Sequence, residues 1–131
     1  MVTISGNFAQ DICTINNNKI VGSIKLLNSK ISFNGKNNIF ISKNATLTNS
    51  NIEFRGNNSI IYLNKSNLRI NFFCGHHSNI YVGKNTTTSS ILTAHCAEST
   101  SLIIGDDCMF SFNIKIRTSD GHCIYCSNSM E

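Results

Sequence analysis

An internal repeat with a period of about 21 residues is the feature of this sequence that most restricts its fold. The segment Ile31-Ser-Phe-Asn-Gly-Lys-Asn-Asn-Ile-Phe-Ile41 aligns without a gap with Ile52-Glu-Phe-Arg-Gly-Asn-Asn-Ser-Ile-Ile-Tyr62, so that the Gly of one copy falls on the Gly of the other. A weaker third copy runs from Leu68 through Gly75 to Val82. Each copy alternates apolar and polar residues, passes a Gly/Asn-rich corner and enters a second short apolar run. Short strands that return at a fixed period indicate a β-solenoid.

A finer period of six residues runs through the later half of the chain. Apolar residues recur in two series, Leu102, Cys108, Ile114 and Ile104, Phe110, Ile116. The same period is found earlier, in Ile80, Thr86, Leu92 and in Val82, Thr88, Ala94. Three faces of six residues make a triangular coil of about 18 residues, and small insertions explain the longer repeat. The sequence therefore predicts an all-β parallel β-helix of about five to six coils, with Ile stacked inside and Asn and Thr in ladders outside.

The alternative fold is an ordinary β-sandwich, which also has short strands and frequent turns. A sandwich does not require self-similarity at a fixed interval, so the repeat favours the solenoid. Helices are not expected, because Ile and Thr are abundant and no apolar stripe with a 3.6-residue period appears. The composition of 20 Asn and 19 Ile, with no Pro, suits stacked strands joined by polar corners.

Length and charge limit the function classes. A chain of 131 residues with 40% hydrophobic residues is expected to form one domain over residues 1–131. The net charge of +4 is dilute, which argues against a nucleic-acid partner. No signal peptide and no run of 18 apolar residues is seen, so we expect a cytoplasmic protein without a membrane span. The six scattered cysteines are then expected to be reduced.

Two segments near the carboxyl end carry a family resemblance. Ile104-Gly-Asp-Asp-Cys-Met-Phe-Ser111 and Ile116-Arg-Thr-Ser-Asp-Gly-His122 resemble bacterial O-acetyltransferases of the hexapeptide-repeat superfamily, which modify surface sugars. The looser segment Thr93-Ala-His-Cys-Ala-Glu98 is similar to the coil that precedes this motif in the family. With the repeats from residue 31 onward, the resemblance covers roughly residues 20 to 125.

The resemblance implies a left-handed parallel β-helix, usually a homotrimer, that uses acetyl-CoA as acyl donor and a sugar or polysaccharide hydroxyl as acceptor. The left hand comes only from the resemblance, since crossovers between parallel strands are generally right-handed. Relatives usually continue past the His motif into further coils that help to bind coenzyme A. Here nine residues follow His122, so we expect those C-terminal coils to be lacking.

His122 is the expected general base. Acetyl transfer from a thioester to a hydroxyl needs a group that removes the hydroxyl proton, and the pKa of His suits that role near neutral pH. Asp120 is expected to orient the imidazole or to hold a sugar hydroxyl. Extending the six-residue period from Ile116 places His122 at an inward position, so we expect residues 118–121 to form a loop that breaks this phase.

Four further residues are expected to bind the acceptor on the strength of the resemblance: His95, Glu98, Ser111 and Asn113. His95 and Glu98 lie about one coil before the catalytic motif, and would face the same cleft. The alternative for that pair is a polar turn with ordinary hydrogen bonds.

Other interpretations of the sequence are weaker. Cys74, His76, His77 and the Cys123/Cys126 pair lack the paired spacings of a structural zinc site, so no metal is expected. An ice-binding solenoid needs a Thr array over several coils, but Thr86-Thr-Thr88 has Ala45, Leu47, Cys108 and Phe110 at the corresponding positions. The rival to the enzyme is a non-enzymatic β-solenoid, either a truncated relative or an assembly module.

Overall fold

A computed structural model describes residues 2–5, 8–15, 17–96, 99–111, 113–118 and 122–124. For residues 2–5, 8–13, 15 and 122–124 it describes the backbone alone. The described residues form strands and connecting turns without a helix. The strands are β1 (Val2–Ser5), β2 (Phe8–Ile15), β3 (Asn18–Leu27), β4 (Lys30–Phe33), β5 (Ile39–Thr48), β6 (Asn51–Phe54), β7 (Ile60–Leu63), β8 (Asn67–Leu68), β9 (Ile70–Cys74), β10 (Asn79–Val82), β11 (Thr87–Thr88), β12 (Leu92–Cys96), β13 (Ser101–Ile104), β14 (Met109–Phe110), β15 (Ile114–Thr118) and β16 (His122–Ile124).

From β3 onward the strands stack in parallel as a β-solenoid of about five turns. Each turn has three faces. The first face is the stack β4, β6, β9, β12 and β15. The second face holds the first half of β3 and of β5, followed by β7, β10, β13 and β16, and the third face holds the second halves of β3 and β5, followed by β8, β11 and β14. The predicted all-β parallel β-helix of about five to six coils is confirmed.

The strand register follows the repeat in the sequence. Ile31 pairs with Ile52 and Phe33 with Phe54, which is the offset between the two best copies. The rings of Phe33 and Phe54 stack inside the coil with centroids 4.9 Å apart. The residues in the six-residue series up to Phe110 are buried, while Ile114 and Ile116 are partly buried against the core. The period of six thus marks inward positions, as predicted.

Asparagine is frequent because it forms the corners. Ten non-glycine residues that the structure describes have positive φ, and seven of them are Asn. Asn tolerates the left-handed region better than most residues, since its short polar side chain bonds to nearby backbone. Those at the corner between the first and second faces are Asn17, Asn37, Asn58, His77 and Ser99.

A polar ladder is buried where the second face begins. Asn38 donates its backbone N–H to Asn18 Oδ1 over 3.0 Å, and its own Oδ1 accepts the N–H of Ser59 over 3.0 Å. Ser59 Oγ in turn accepts the N–H of Ser78 over 3.0 Å. Buried polar groups are stable only when hydrogen-bonded, so each rung depends on the next. Asn was predicted to lie outside the coil, so this inner ladder is a feature that the sequence did not predict.

The amino-terminal strands differ from the parallel coil. β1 pairs antiparallel with β4, and β2 pairs antiparallel with β3. They cover the strand edges at which the first and second faces begin. In the part of the chain that the structure describes, no helix has the length and apolar character needed to cross a bilayer.

Candidate functional site

One outward column on the first face carries a carboxylate, an aromatic ring, an imidazole and a guanidinium. Successive turns place Glu53, Phe73, His95 and Arg117 in register. Their strands alternate buried and outward residues, so every second side chain points away from the core. Because in-register residues on neighbouring parallel strands lie about 4.8 Å apart, the four side chains form a continuous row.

Phe73 is the centre of this row. The His95 ring stacks on it with centroids 4.6 Å apart and an interplanar angle of 23°. The Arg55 guanidinium Cζ lies 4.4 Å from the Phe73 centroid. Because Arg55 comes from the preceding turn and His95 from the following one, they cover the two faces of the ring. Arg55 Nε also lies 3.4 Å from Glu53 Oε1.

The row borders an open cleft of about 630 Å³. Four outward side chains and four residues at the end of the first face line it: Arg55, Phe73, His95, Arg117, and Cys74, Gly75, Cys96, Thr118. The cleft therefore combines two guanidinium groups and an imidazole with a floor of small residues.

Charge and burial shift the titration of groups at the cleft. The pKa of His95 lies below its ordinary value, first because desolvation disfavours the charged form, and then because Arg117, Arg55 and Lys115 repel it. The neutral form of its imidazole is therefore favoured over the charged form. Burial raises the pKa of the Cys74 thiol and, less strongly, that of Cys96, so both stay protonated.

Of the predicted site residues whose side chains the structure describes, one lies in the cleft and two do not. His95 lies in the cleft. Ser111 and Asn113 are exposed at the corner between the third and first faces and do not line it. Glu98 and Asp120 lie outside the described residues.

His122 is the first residue of β16. Of the loop expected over residues 118–121, Thr118 lies in β15 instead, and residues 119–121 are outside the described residues. β16 pairs with β13 and places His122 in register with Leu102. The side chain of Leu102 is fully buried. The role of His122 as a base stays a prediction.

Arg55, Phe73 and Arg117 were not predicted as site residues. The signal was present, because Phe73, His95 and Arg117 follow one another at equal intervals in the outward phase of the first-face strands. This outward series was missed because the recurrence of apolar residues at inward positions is the stronger pattern in the sequence. The row also carries Glu53, which pairs with Arg55 through Nε alone, and Glu53 Oε2 accepts a hydrogen bond from Asn34 Nδ2 over 2.8 Å.

Among the described residues, no group of three or more His, Cys, Asp or Glu side chains is arranged to hold a metal ion. His76 Nδ1 instead accepts the N–H of Asn57 over 2.9 Å. Cys74 and Cys96 are free and buried. Cys108 is disulfide-bonded, and its partner lies outside the described side chains, so the expectation that all six cysteines are reduced is wrong.

Comparison with known proteins finds no matching family model, no matching curated protein and no matching solved structure. The resemblance to the hexapeptide-repeat acetyltransferases thus depends on the motif segments of the sequence alone.

Proposed function

We propose that the chain is an acetyl-CoA-dependent O-acetyltransferase of the hexapeptide-repeat type, acting on a sugar hydroxyl of a surface polysaccharide or its precursor. One observation carries this proposal: the cleft on the first face contains His95, which the motif resemblance assigns to acceptor binding, and it ends at Thr118. Asp120 and His122 follow Thr118 by two and four residues. The proposed acceptor site and the proposed base are therefore close in the chain.

The proposed reaction is a direct acyl transfer. The acceptor oxygen attacks the thioester carbonyl carbon as His122 takes the hydroxyl proton, and the C–S bond breaks to release coenzyme A as its thiolate, which then takes up a proton. Asp120 would orient the imidazole or hold a sugar hydroxyl. Acetyl-CoA supplies the activated acyl group. The lowered pKa of His95 favours its neutral imidazole, which can accept a hydrogen bond from an acceptor hydroxyl.

The test is an assay of thiol release from acetyl-CoA, with and without a panel of neutral and acidic sugars. We expect release that depends on an acceptor sugar and yields an O-acetyl ester detectable by mass spectrometry. Release without any sugar ester, or no release with any acceptor, would count against the proposal.

A non-enzymatic β-solenoid is the second candidate. The register between His122 and Leu102 favours it, because the other members of that column, Ile20, Phe40, Ile61 and Ile80, are buried core residues. The assay above, which finds transfer or does not, separates the two candidates.

Assembly as a homotrimer is part of the proposal. The outer surface of the second face supports it, since Ile60, Tyr62, Tyr81 and Ile103 line an apolar depression there. A trimer in light scattering would agree with this, and a stable monomer would contradict it. A cytoplasmic location, expected from the sequence, is also part of the proposal.

A further inference from the structure

Positive charge dominates the cleft on the first face. Arg55, Lys115 and Arg117 all act on His95 from the cleft or its edge. Among the described residues of the outward row, Glu53 is the one carboxylate, and Arg55 and Asn34 already engage it. Each guanidinium has five N–H donors, which is more than Glu53 can accept from. A ligand that enters the cleft can therefore bind the remaining donors.

The aromatic ring in the cleft has no free face. Arg55 and His95 lie against Phe73 at 4.4 and 4.6 Å from its centroid. A neutral sugar usually needs such a face, on which its C–H groups can pack. Here the groups that remain available are N–H donors at the outward edge of the row, and these suit an anion better than a neutral ring.

The two guanidinium groups lie far apart along the solenoid axis. Arg55 contacts Phe73, and Arg117 belongs to the second turn after Phe73. Two strand spacings separate Phe73 from Arg117 and amount to about 10 Å. The Arg55 guanidinium lies a further 4.4 Å from the Phe73 centroid, on the side away from Arg117. A single carboxylate is too small to contact both guanidinium groups, so a ligand that uses both must carry two anionic groups along this direction.

We infer that the cleft binds an acidic oligosaccharide, which lies along the solenoid axis and places two of its carboxylates, separated by at least one sugar unit, on Arg55 and Arg117. Each guanidinium can bind a carboxylate through two parallel N–H donors. His95, between them, faces the intervening sugar unit. This inference rests on the proposed function for the role of the sugar as acceptor, and it narrows the acceptor to the class that contains uronic or sialic acids.

The test is equilibrium binding without acetyl-CoA, measured by calorimetry with an oligogalacturonate and with a neutral malto-oligosaccharide of equal length. We expect binding of the acidic oligomer alone, weakened by salt because the contacts are electrostatic. Arg117→Gln and Arg55→Gln should each weaken it about tenfold or more, the usual effect of losing hydrogen bonds to a charged group. Arg69→Gln is the matched control, since Arg69 does not line the cleft, and should leave binding unchanged.

Coenzyme A is the competing anionic ligand, so it is titrated as a separate arm. If Arg117→Gln and Arg55→Gln weaken coenzyme A binding and the acidic oligomer does not bind, the cleft is a donor site and the inference is overturned. Equal binding of the neutral oligomer also overturns it. Binding of the oligogalacturonate with no acetyl transfer supports the inference while the proposed function fails. Transfer to neutral sugars without binding of the acidic oligomer supports the proposed function and overturns the inference.

Discussion

His122 stands in register with Leu102, one turn apart on the second face. The motif that carries the proposed base thus continues the column that builds the core. A catalytic role requires a His at this position, whereas a core role requires only an apolar side chain that packs. Substitutions can therefore distinguish the two roles.

Replacing His122 tests the proposed base. We expect His122→Leu to retain the unfolding temperature, because Leu occupies the paired position one turn earlier, and to lower acetyl transfer by about 10²–10⁴-fold. His122→Ala should lose the same activity. The measurements are thermal unfolding followed by circular dichroism and thiol release from acetyl-CoA. A His122→Leu protein with full activity would show that another group acts as base.

The titration of His95 tests the electrostatics of the cleft. Its folded pKa lies below the ordinary value, so protonation favours the unfolded chain. Stability from this group is present above the unfolded pKa of about 6.5 and is lost as the pH falls toward the folded pKa. We expect Arg117→Gln to raise the His95 pKa. NMR of the ring protons measures this pKa. Arg69→Gln should not move it; equal shifts in both variants would exclude a local effect.

The buried ladder should be sensitive to loss of Asn38. Asn38→Ala leaves the N–H of Ser59 and the carbonyl of Gly56 without their partner, since Asn38 Oδ1 and Nδ2 bind them over 3.0 Å each. Two unsatisfied buried groups are expected to lower the free energy of unfolding by about 2–4 kcal/mol. Urea denaturation measures it. Asn67→Ala, at an exposed position, is the control and should stay close to wild type.

The thiols should fall into two classes. Cys74 and Cys96 are buried with raised pKa values, so iodoacetamide should leave them unmodified in the native protein and alkylate both after unfolding. Cys108 should be recovered in a disulfide-linked peptide under non-reducing conditions. Mass spectrometry of the digests reads out both results. Recovery of Cys108 as an alkylated thiol without reduction would refute the second expectation.

Much of the fold followed from periodicity. The offset between Ile31 and Ile52 is the register that the strands adopt, and the six-residue series mark core positions. This works because a stacked coil repeats the same inward position at nearly the same interval. The antiparallel pairing of β1 with β4 and of β2 with β3 involves segments outside the repeat, and so was not predicted.

The site was harder to predict than the fold. His95 was recognised through its resemblance to a family segment, but Arg55 and Phe73 were not, because their contact joins residues from successive turns. Such a contact depends on which side chains point outward and on the direction of the Arg55 side chain, which follows the end of β6. Ser111 ends the first recognised segment and Asn113 lies between the two segments, yet the chain turns a corner between them and the cleft.

The antiparallel strands at the amino-terminal end also restrict how copies of this protein can join. A filament that continued the coil from one molecule to the next would need matching parallel edges at both ends of each molecule. At this end β1 runs opposite to β4, and β2 opposite to β3. On these two faces, as far as the structure describes them, the added strand runs against the coil, which disfavours open-ended, fibre-like growth by continuation of the same strand direction.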